Sequence, residues 1–382
     1  MADRGDHARA STGVSETAAQ ETVVDELLRR RIETNERFFE AEAERIGRLC
    51  QALAERFILG GRLLAVGDSP QSRSDAHHVA VEFVHPVIVG KRALPALAVS
   101  PDELELQTRP DDAVISFEPL RFVLGDGQWL FEPPSDDPFV RQELAETLYH
   151  VLWELVHIFF DHLGGSTAGA GGSSFLYPFL DEEERDLGTV RADVQRSVLL
   201  KSREVGALRE QTLTEGRAEL ATAAAGLRAA LGGGGTVLAF GNGGSATDAA
   251  DAVADFQAAP QGWPARRALD LTSDSAILTA LANDIGAEVL FSRQLIAYGR
   301  PGDVALALST SGSSANIVEA LAEARRRQLL TIAMVGYDGG RIAAESLADH
   351  VIVSRSEHIP RIQEAQASGY HVLRELVELA DH

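Results

Sequence analysis

The stretch at 241–248, Gly-Asn-Gly-Gly-Ser-Ala-Thr-Asp, decides the fold of this chain together with Ser-Thr-Ser-Gly-Ser-Ser at 309–314. Each follows a short apolar run, 236–240 and 304–308, and each precedes an Ala-rich segment typical of a helix. We therefore expect two turns that lead from a strand into a helix. Such turns bind anions, because glycines let the backbone approach closely and N–H groups at a helix start point at the ligand. Either turn alone could be ordinary, but the pair predicts a phosphate site.

Strands and helices alternate around these turns through the second half of the chain. This alternation predicts an α/β fold, a doubly wound parallel sheet with helices on both faces in three αβα layers. Ligands of such sheets lie beyond the carboxyl ends of the strands, where both polar turns would lie. The predicted strands are 237–240, 268–271, 304–308, 330–335 and 350–353, and the predicted helices are 190–231, 246–256, 274–282, 315–327 and 360–380.

The first half predicts a shortened version of the same fold. It contains helical patterns at 23–59, 75–84 and 140–162, apolar strand-like runs at 62–66 and 94–99, and two shorter apolar runs at 113–117 and 121–124. A Gly/Ser/Ala-rich stretch at 164–174 is the best linker candidate. We accordingly expect a disordered tail at 1–20, a truncated domain at 21–163, a linker at 164–187 and a complete domain at 188–382.

Composition excludes several classes of protein. The chain of 382 residues carries 35 basic against 57 acidic residues, a formal charge of −22, which argues against a nucleic-acid partner. A single cysteine, Cys50, excludes an internal disulfide framework and suits a reducing cytoplasm. The sequence has neither a membrane-length apolar run nor the apolar segment of a signal peptide, so we expect a cytoplasmic protein without a membrane partner.

The two halves of the chain repeat each other. The segment 149–156 matches 370–377 except where Trp153 faces Arg374, and 75–83 aligns with 248–256. Two matched blocks in the same order indicate duplication followed by divergence. The first half is shorter between the blocks, so we expect it to lack the strand and helix that carry the second polar turn. Its own turn at 67–72 holds Pro70 and an acidic side chain where a phosphate needs donors, which predicts that this half has lost phosphate binding.

The second half, 188–382, resembles the sugar isomerase (SIS) domain family, and most closely the phosphoheptose isomerases. Five ordered blocks carry the resemblance: the turn at 241–248, Leu-Thr-Ala-Leu-Ala-Asn-Asp at 278–284, Phe-Ser-Arg-Gln at 291–294, Ser-Thr-Ser-Gly at 309–312 and Pro-Arg-Ile-Gln-Glu at 360–364. The resemblance implies a phosphorylated sugar as ligand, without a nucleotide cofactor. The residues implied to bind that sugar are Asn242, Gly243, Ser245, Asp274, Ser309, Thr310, Ser311, Ser314 and Gln363.

The resemblance also implies a zinc ion, held by a His and a Glu after the first turn and by a Gln and a His of the last helix. The second half departs from this pattern with Asp251 and Asp255, although Gln363 and His371 remain. The first half keeps a complete set. His78 and Glu82 are four residues apart and share a helix face, whereas the other two predicted ligands, Gln142 and His150, are eight apart and less readily share one ion.

Aldose–ketose isomerisation through an enediol needs a base at carbon, an acid near oxygen and a polarising group. Our leading hypothesis combines phosphate binding by the second half with metal-assisted chemistry by the first, Glu82 being the base and His150 the acid. A second version keeps the chemistry in the second half, with Asp255 as base and His371 as acid. The alternative from another class is a phosphosugar-binding or scaffold protein without catalysis. The long apolar helices further predict a homo-oligomer, a dimer of pseudo-dimers.

Overall fold

The computed structural model describes residues 6–86, 91–162 and 187–379. Contacts divide the chain into two compact units. The N-unit comprises Glu33–Gly206, and the C-unit comprises Met1–Ile32 with Ala207–His382. This division differs from the predicted domains, because the start of the first helix belongs with the second half and residues up to Gly206 belong with the first. The predicted linker at 164–187 lies, except for its last residue, outside the described residues.

The C-unit has a parallel five-stranded sheet. Its strands are β6 (Val237–Phe240), β7 (Ala268–Asp270), β8 (Val304–Ser309), β9 (Leu330–Gly336) and β10 (His350–Ser354). Their order in the sheet is β10-β9-β8-β6-β7, and every neighbouring pair is parallel. The strands follow the predicted ranges closely, because apolar runs of this length between turn residues leave few other solutions.

Helices cover both faces of this sheet. They are α6 (Arg217–Gly232), α7 (Gly244–Gln257), α8 (Ser275–Asp284), α9 (Ser292–Tyr298), α10 (Ala315–Arg326), α11 (Gly340–Ala344) and α12 (Ile359–Leu379). Alternate residues of β6 enter different cores: Val237 and Ala239 pack with α6, α7 and α12, whereas Leu238 and Phe240 pack with α9 and α10. A sheet buried on both faces needs the continuous apolar strands that the sequence supplies. The predicted doubly wound fold is confirmed for this unit.

The N-unit contains β1 (Leu63–Val66), β2 (Ala96–Val99), β3 (Ala113–Phe117), β4 (Leu120–Leu124) and β5 (Gly127–Leu130). Their order is β2-β1-β3-β4-β5. Helices α2 (Pro70–Val84), α3 (Pro101–Gln107) and α4 (Pro138–His162) complete it, together with parts of α1 (Asp6–Ile58) and α5 (Leu187–Glu215). One core joins α1, α2, α4 and α5 to the sheet, and it includes Phe39, Leu63, Ile115, Trp153 and Val194.

The first three strands of the two units have the same arrangement. The order β2-β1-β3 of the N-unit corresponds to β7-β6-β8 of the C-unit, and all of these pairs are parallel. The expectation that the N-unit lacks a whole strand and helix is therefore corrected. The strand equivalent to β8 is present as β3, but β4 and β5 follow it by short antiparallel connections where the C-unit has a polar turn and a helix. The N-unit sheet is thus mixed, since such short connections permit only antiparallel pairing.

Two expectations about helices differ from the structure, and one strand was not expected. The residues 6–20, predicted to be a disordered tail, are helical and form the start of α1, because their Ala, Glu and Gln residues favour a helix. The single helix predicted over 190–231 is two helices, α5 and α6, with Gly216 between them. Strand β5 was not predicted at all. Within the described ranges, no helix combines the length and apolarity that a bilayer span requires.

The start of α1 belongs to the C-unit through both apolar and charged contacts. Val24, Leu27 and Leu28 lie in the same core as Leu220 and Leu227 of α6. The Arg31 guanidinium, almost fully buried, donates to Glu375 Oε2 on α12 at 2.7 Å. A buried charge pair of this kind fixes one docking position, because a shifted helix would leave both charges without compensation.

We predict that Arg31→Met destabilises the protein by about 3–5 kcal/mol, because the Glu375 carboxylate loses its buried guanidinium partner. The double variant Arg31→Met/Glu375→Met should recover most of that loss, since it removes both charges. The measurement is urea unfolding followed by circular dichroism, with the exposed Arg37→Met as control. Additive effects of the two single variants would contradict the proposed coupling.

Candidate functional site

The first polar turn connects β6 to α7 and depends on two glycines. A Cβ at Gly241 would overlap the backbone of Ser245, so no larger residue fits there. Gly243 has φ +59°, a left-handed conformation that favours glycine, and it is the N-cap of α7. The predicted ligand Ser245 is buried, and its N–H donates to the Asn242 carbonyl at 3.1 Å. No hydrogen bond among the described residues uses the N–H of Gly243 or Gly244, so both remain available to a ligand.

The second polar turn connects β8 to α10. Gly312 has φ +60°, and its N–H donates to Ser309 Oγ at 3.1 Å. Ser311 Oγ accepts from the Ser313 N–H at 3.3 Å and lies 3.4 Å from Ser314 Oγ, just before α10 begins. The predicted ligands Ser309, Thr310, Ser311 and Ser314 thus share one compact turn. Its internal bonds fix the directions in which hydroxyl and N–H groups point.

A third loop, which the sequence analysis missed, supports the second turn. Gly339 and Gly340 follow β9 with φ +93° and +53°. A Cβ at Gly340 would overlap Ser311 O and Ser313 Oγ, so the two loops pack directly on each other. Ser313 Oγ also accepts from the Arg341 N–H at 3.1 Å, and the Ile342 N–H donates to Gly312 O at 3.0 Å. The sequence feature that could have predicted this loop is the Gly-Gly pair at 339–340.

The two turns meet at the carboxyl edge of the sheet. Strands β6 and β8 are parallel neighbours, and β7 pairs with β6 on the opposite side from β8. A crevice at such a point, where the chain connections diverge, is the usual ligand position in an open α/β sheet. The side-chain amides of Asn242 and Asn316 bridge the two turns with reciprocal hydrogen bonds of 3.0 and 2.8 Å.

The predicted ligand Asp274 lies outside both polar turns. Asp274 is exposed and is the N-cap of α8, where its Oδ1 accepts from the Ile277 N–H at 3.0 Å. Near it, Thr272 Oγ1 donates to Asp270 Oδ1 at 2.6 Å. Burial raises the pKa of the Asp270 carboxyl, against the lowering effect of its bonds from Thr272. Asp274 therefore has a structural role as a cap, and its predicted sugar contact stays a prediction.

Helix α12 also reaches the second turn. The Gln366 side-chain amide donates to Ser309 O at 3.4 Å, and Gln363 lies one turn earlier, buried. Because α12 also carries His371, this helix extends from the second polar turn to an ionisable cluster. The assignment of Gln363 to the sugar stays a prediction.

That cluster consists of Asp251, Asp255 and His371, which we call the Asp–Asp–His cluster. All three side chains are buried, and one potential ligand atom from each lies within 4.8 Å of the others. His371 Nε2 is 3.4 Å from Asp251 Oδ2 and 3.3 Å from Asp255 Oδ2. Tyr370 Oη donates to Asp251 Oδ2 at 2.8 Å, which fixes that carboxylate. Two carboxylates in a buried site need a proton or a cation to balance them.

The N-unit contains a matching His–Glu–His cluster, formed by His78 and Glu82 of α2 and His150 of α4. His78 Nε2 lies 3.2 Å from His150 Nε2 and 3.8 Å from Glu82 Oε1, and all three side chains are buried. Three of the four predicted metal ligands are therefore together. The fourth, Gln142, is half-buried near the start of α4, and no hydrogen bond of its side chain joins it to the described residues. Its metal role stays a prediction.

The polar turn of the N-unit differs from that of the C-unit. Ser72 Oγ accepts from the N–H groups of Asp68 and Ser69, both at 2.9 Å, and Ser69 Oγ accepts from the Ser72 N–H at 3.0 Å. This reciprocal capping box uses the donors that a phosphate would need. Pro70 contributes no N–H at the first position of α2.

Both clusters were tested for their fit to a metal ion. Ligands about 2.0–2.1 Å from a tetrahedral zinc ion lie about 3.3–3.4 Å from one another. The separations of 3.3 and 3.4 Å in the Asp–Asp–His cluster match this value, and the 3.2 and 3.8 Å separations in the His–Glu–His cluster lie on either side of it. Two imidazoles and one carboxylate are a common catalytic zinc set, whereas two carboxylates and one imidazole form an oxygen-rich set. The residues fit a metal in both places.

Comparison with known proteins identifies the class. The SIS domain family matches residues 202–336, which include both polar turns. The C-terminal domain of glucosamine-fructose-6-phosphate aminotransferase from Francisella tularensis shares the fold over 93% of this chain and 96% of its own, with a TM-score of 0.57 at 8% identity. The family match and the paired turns place the C-unit among SIS domains.

The closer relationship comes from sequence. Phosphoheptose isomerase of Geotalea daltonii is 44% identical over 153 residues, covering 39% of this chain and 77% of the relative. That of Geobacter metallireducens is 41% identical over 184 residues, covering 47% of this chain and 93% of the relative. The chain belongs to the phosphoheptose isomerase family.

We predict that Gly312→Ala abolishes detectable phosphosugar binding. The added methyl group would force a left-handed residue, costing about 1–2 kcal/mol, and would overlap Gly339 O. The measurement is isothermal titration calorimetry with a sugar phosphate. The control is Gly232→Ala, where a Cβ meets no atom within 4 Å. Unchanged affinity of Gly312→Ala would show that the second turn does not contact the ligand.

Proposed function

We propose that this phosphosugar isomerase interconverts sedoheptulose 7-phosphate and glycero-manno-heptose 7-phosphate. The observation that supports this most is that α7, the helix that starts in the first polar turn, carries two of the three residues of the Asp–Asp–His cluster. Gly244 begins α7, and the same helix carries Asp251 and Asp255. The names of the related proteins from Geotalea daltonii and Geobacter metallireducens support the same substrate.

The length of α7 also favours a long sugar phosphate. At about 1.5 Å per residue, Asp251 and Asp255 lie roughly 10 and 16 Å along the helix from Gly244. A phosphate held at the start of α7 therefore needs an extended carbon chain if its other end is to reach these carboxylates. A seven-carbon sugar meets this need better than a three- or four-carbon one.

In the C-unit, Asp255 is the proposed base and His371 the proposed acid. From the ketose, Asp255 removes a proton from C1, and the electron pair forms the C1–C2 double bond of the enediol. His371 gives a proton to O2 and accepts the one from O1, so that C1 becomes the aldehyde. Asp255 then returns its proton to C2. The 3.3 Å separation of Asp255 Oδ2 and His371 Nε2 lets both groups serve adjacent carbons.

The other assignment gives these steps to Glu82 as base and His150 as acid, with His78, Glu82, Gln142 and His150 holding zinc. A zinc ion there would polarise the carbonyl and enediolate oxygens. The buried set of two histidines and one glutamate favours zinc, which supports this assignment. The two assignments differ in which pair of residues must be intact.

We predict that Asp255→Asn and His371→Asn each lower kcat roughly 10²–10⁴-fold, with a smaller change in KM, because each removes one proton-transfer group. Glu82→Gln and His150→Asn should lower kcat less. The measurement is heptose isomerisation followed by coupled assay, with the exposed Glu319→Gln as control. A larger loss of kcat in the Glu82 and His150 variants would instead assign the proton-transfer steps to the N-unit. Binding without turnover in the wild type would instead support a phosphosugar-binding role.

We also predict that the purified protein contains zinc that is lost in the double variant His78→Asn/His150→Asn. Both imidazoles would be removed from the His–Glu–His cluster, which leaves only the Glu82 carboxylate and the Gln142 amide of the four proposed ligands. The measurement is inductively coupled plasma mass spectrometry on protein purified without chelator, with thermal unfolding in parallel. His350→Asn, on strand β10, is the control histidine. Equal zinc in wild type and double variant would exclude this cluster as the zinc site.

A further inference from the structure

The Asn242–Asn316 amide pair joins the two polar turns, 241–248 and 309–314, which we call the phosphate turns after their proposed role. Asn242 Nδ2 donates to Asn316 Oδ1 at 3.0 Å, and Asn316 Nδ2 donates to Asn242 Oδ1 at 2.8 Å. Asn242 belongs to the first turn, and Asn316 is the second residue of α10, directly after the second turn. The pair spans 74 residues of sequence and links turns on the neighbouring strands β6 and β8.

Each amide keeps one donor outside the pair. A primary amide has two N–H groups, and the pair uses one from each side chain. No other hydrogen bond of either side chain is made within the described ranges of the chain. Asn316 is only 9% exposed, whereas Asn242 is exposed at the surface of the turn. The second N–H of Asn242 is therefore the donor that a ligand in the crevice can reach.

The pair also restrains rotation of the Asn242 amide. An unrestrained amide can rotate and exchange its oxygen with its nitrogen. A phosphate or a sugar carbonyl offers acceptor lone pairs, so an amide oxygen in that position would repel it. Because both amides take part in reciprocal hydrogen bonds, the Asn242 amide cannot rotate alone without breaking them. The same bonds hold the first turn at a fixed distance from the start of α10.

We propose that Asn316 is a positioning residue for phosphosugar binding, which orients the Asn242 amide and fixes the spacing of the two phosphate turns. The proposal rests on the phosphosugar isomerase function given above and adds a residue that need not touch the ligand. It differs from a helix-packing role for Asn316, in which any residue of similar shape would serve.

The test uses the full-length protein with Asn316→Asp, Asn316→Ala, Asn242→Ala and the double alanine variant. Asn316→Asp keeps the shape of the side chain and favours a helix start, yet it lacks the donor for the Asn242 oxygen. Thr331→Val is the matched control, because it also removes two side-chain hydrogen bonds, to Asp349, at the start of β9 and thus at the opposite edge of the sheet. Affinities for sedoheptulose 7-phosphate and for inorganic phosphate are measured by calorimetry, together with KM and kcat.

We expect Asn316→Asp and Asn316→Ala to raise Kd and KM about tenfold or more, the loss expected for one hydrogen bond to a charged group, while kcat changes little. The double variant should bind no more weakly than Asn242→Ala, because Asn316 acts through Asn242. Thr331→Val should leave affinity unchanged. Asn316→Asp tests the proposal even if Asn316→Ala does not fold.

Two results would overturn the proposal: wild-type affinity in Asn316→Asp, or affinity losses that add in the double variant. Failure of the proposed function has a different signature. If the wild type binds neither sedoheptulose 7-phosphate nor phosphate, the function itself is wrong. If the wild type binds sugar without isomerising it, the binding measurements still decide the role of Asn316.

Discussion

The divergence of chain connections between β6 and β8 is the constraint on which the rest of the C-unit depends. Parallel strands bring their carboxyl ends to one edge, and the opposite placement of β7 and β9 leaves that edge open between the two turns. Helix α7 begins in this opening, so the N–H groups at the start of the helix point into the opening. The positions of Asp251 and Asp255 then follow from helix geometry alone. The sheet order thus fixes the positions of the proposed phosphate site and of the proposed acid–base residues.

Electrostatics distinguish the two buried clusters more than their geometry does. In each, atoms of three ionisable side chains approach within 4.8 Å while excluded from solvent. Such groups are stable only when a proton or a cation balances the charge. The His–Glu–His cluster can be neutral with one shared proton on nitrogen, whereas the Asp–Asp–His cluster carries two carboxylates for a single imidazole.

The sequence predicted the C-unit better than the N-unit, for physical reasons. Strands β6, β8 and β9 are apolar runs, and the turn after each contains a glycine with positive φ: Gly243, Gly312 and Gly339. The clusters were predictable because the repeat aligned His150 with His371. The division of α1 and α5 between units was not, because an amphipathic helix does not encode which core it enters. The Asn242–Asn316 pair was also not predictable, because no local sequence pattern indicates a contact between residues 74 positions apart.

The two phosphate turns hold no charged side chain. Residues 241–247 and 309–314 contain only Gly, Ala, Asn, Ser and Thr. Any attraction they exert on a phosphate comes from oriented dipoles: backbone N–H groups, hydroxyls and amides. A dipole attracts an oxygen atom strongly only along its own axis, whereas a cation attracts negative charge from any direction. In the proposed site, the two turns would therefore select anions by the directions of their oxygens, without a countercharge, in a protein of net charge −22.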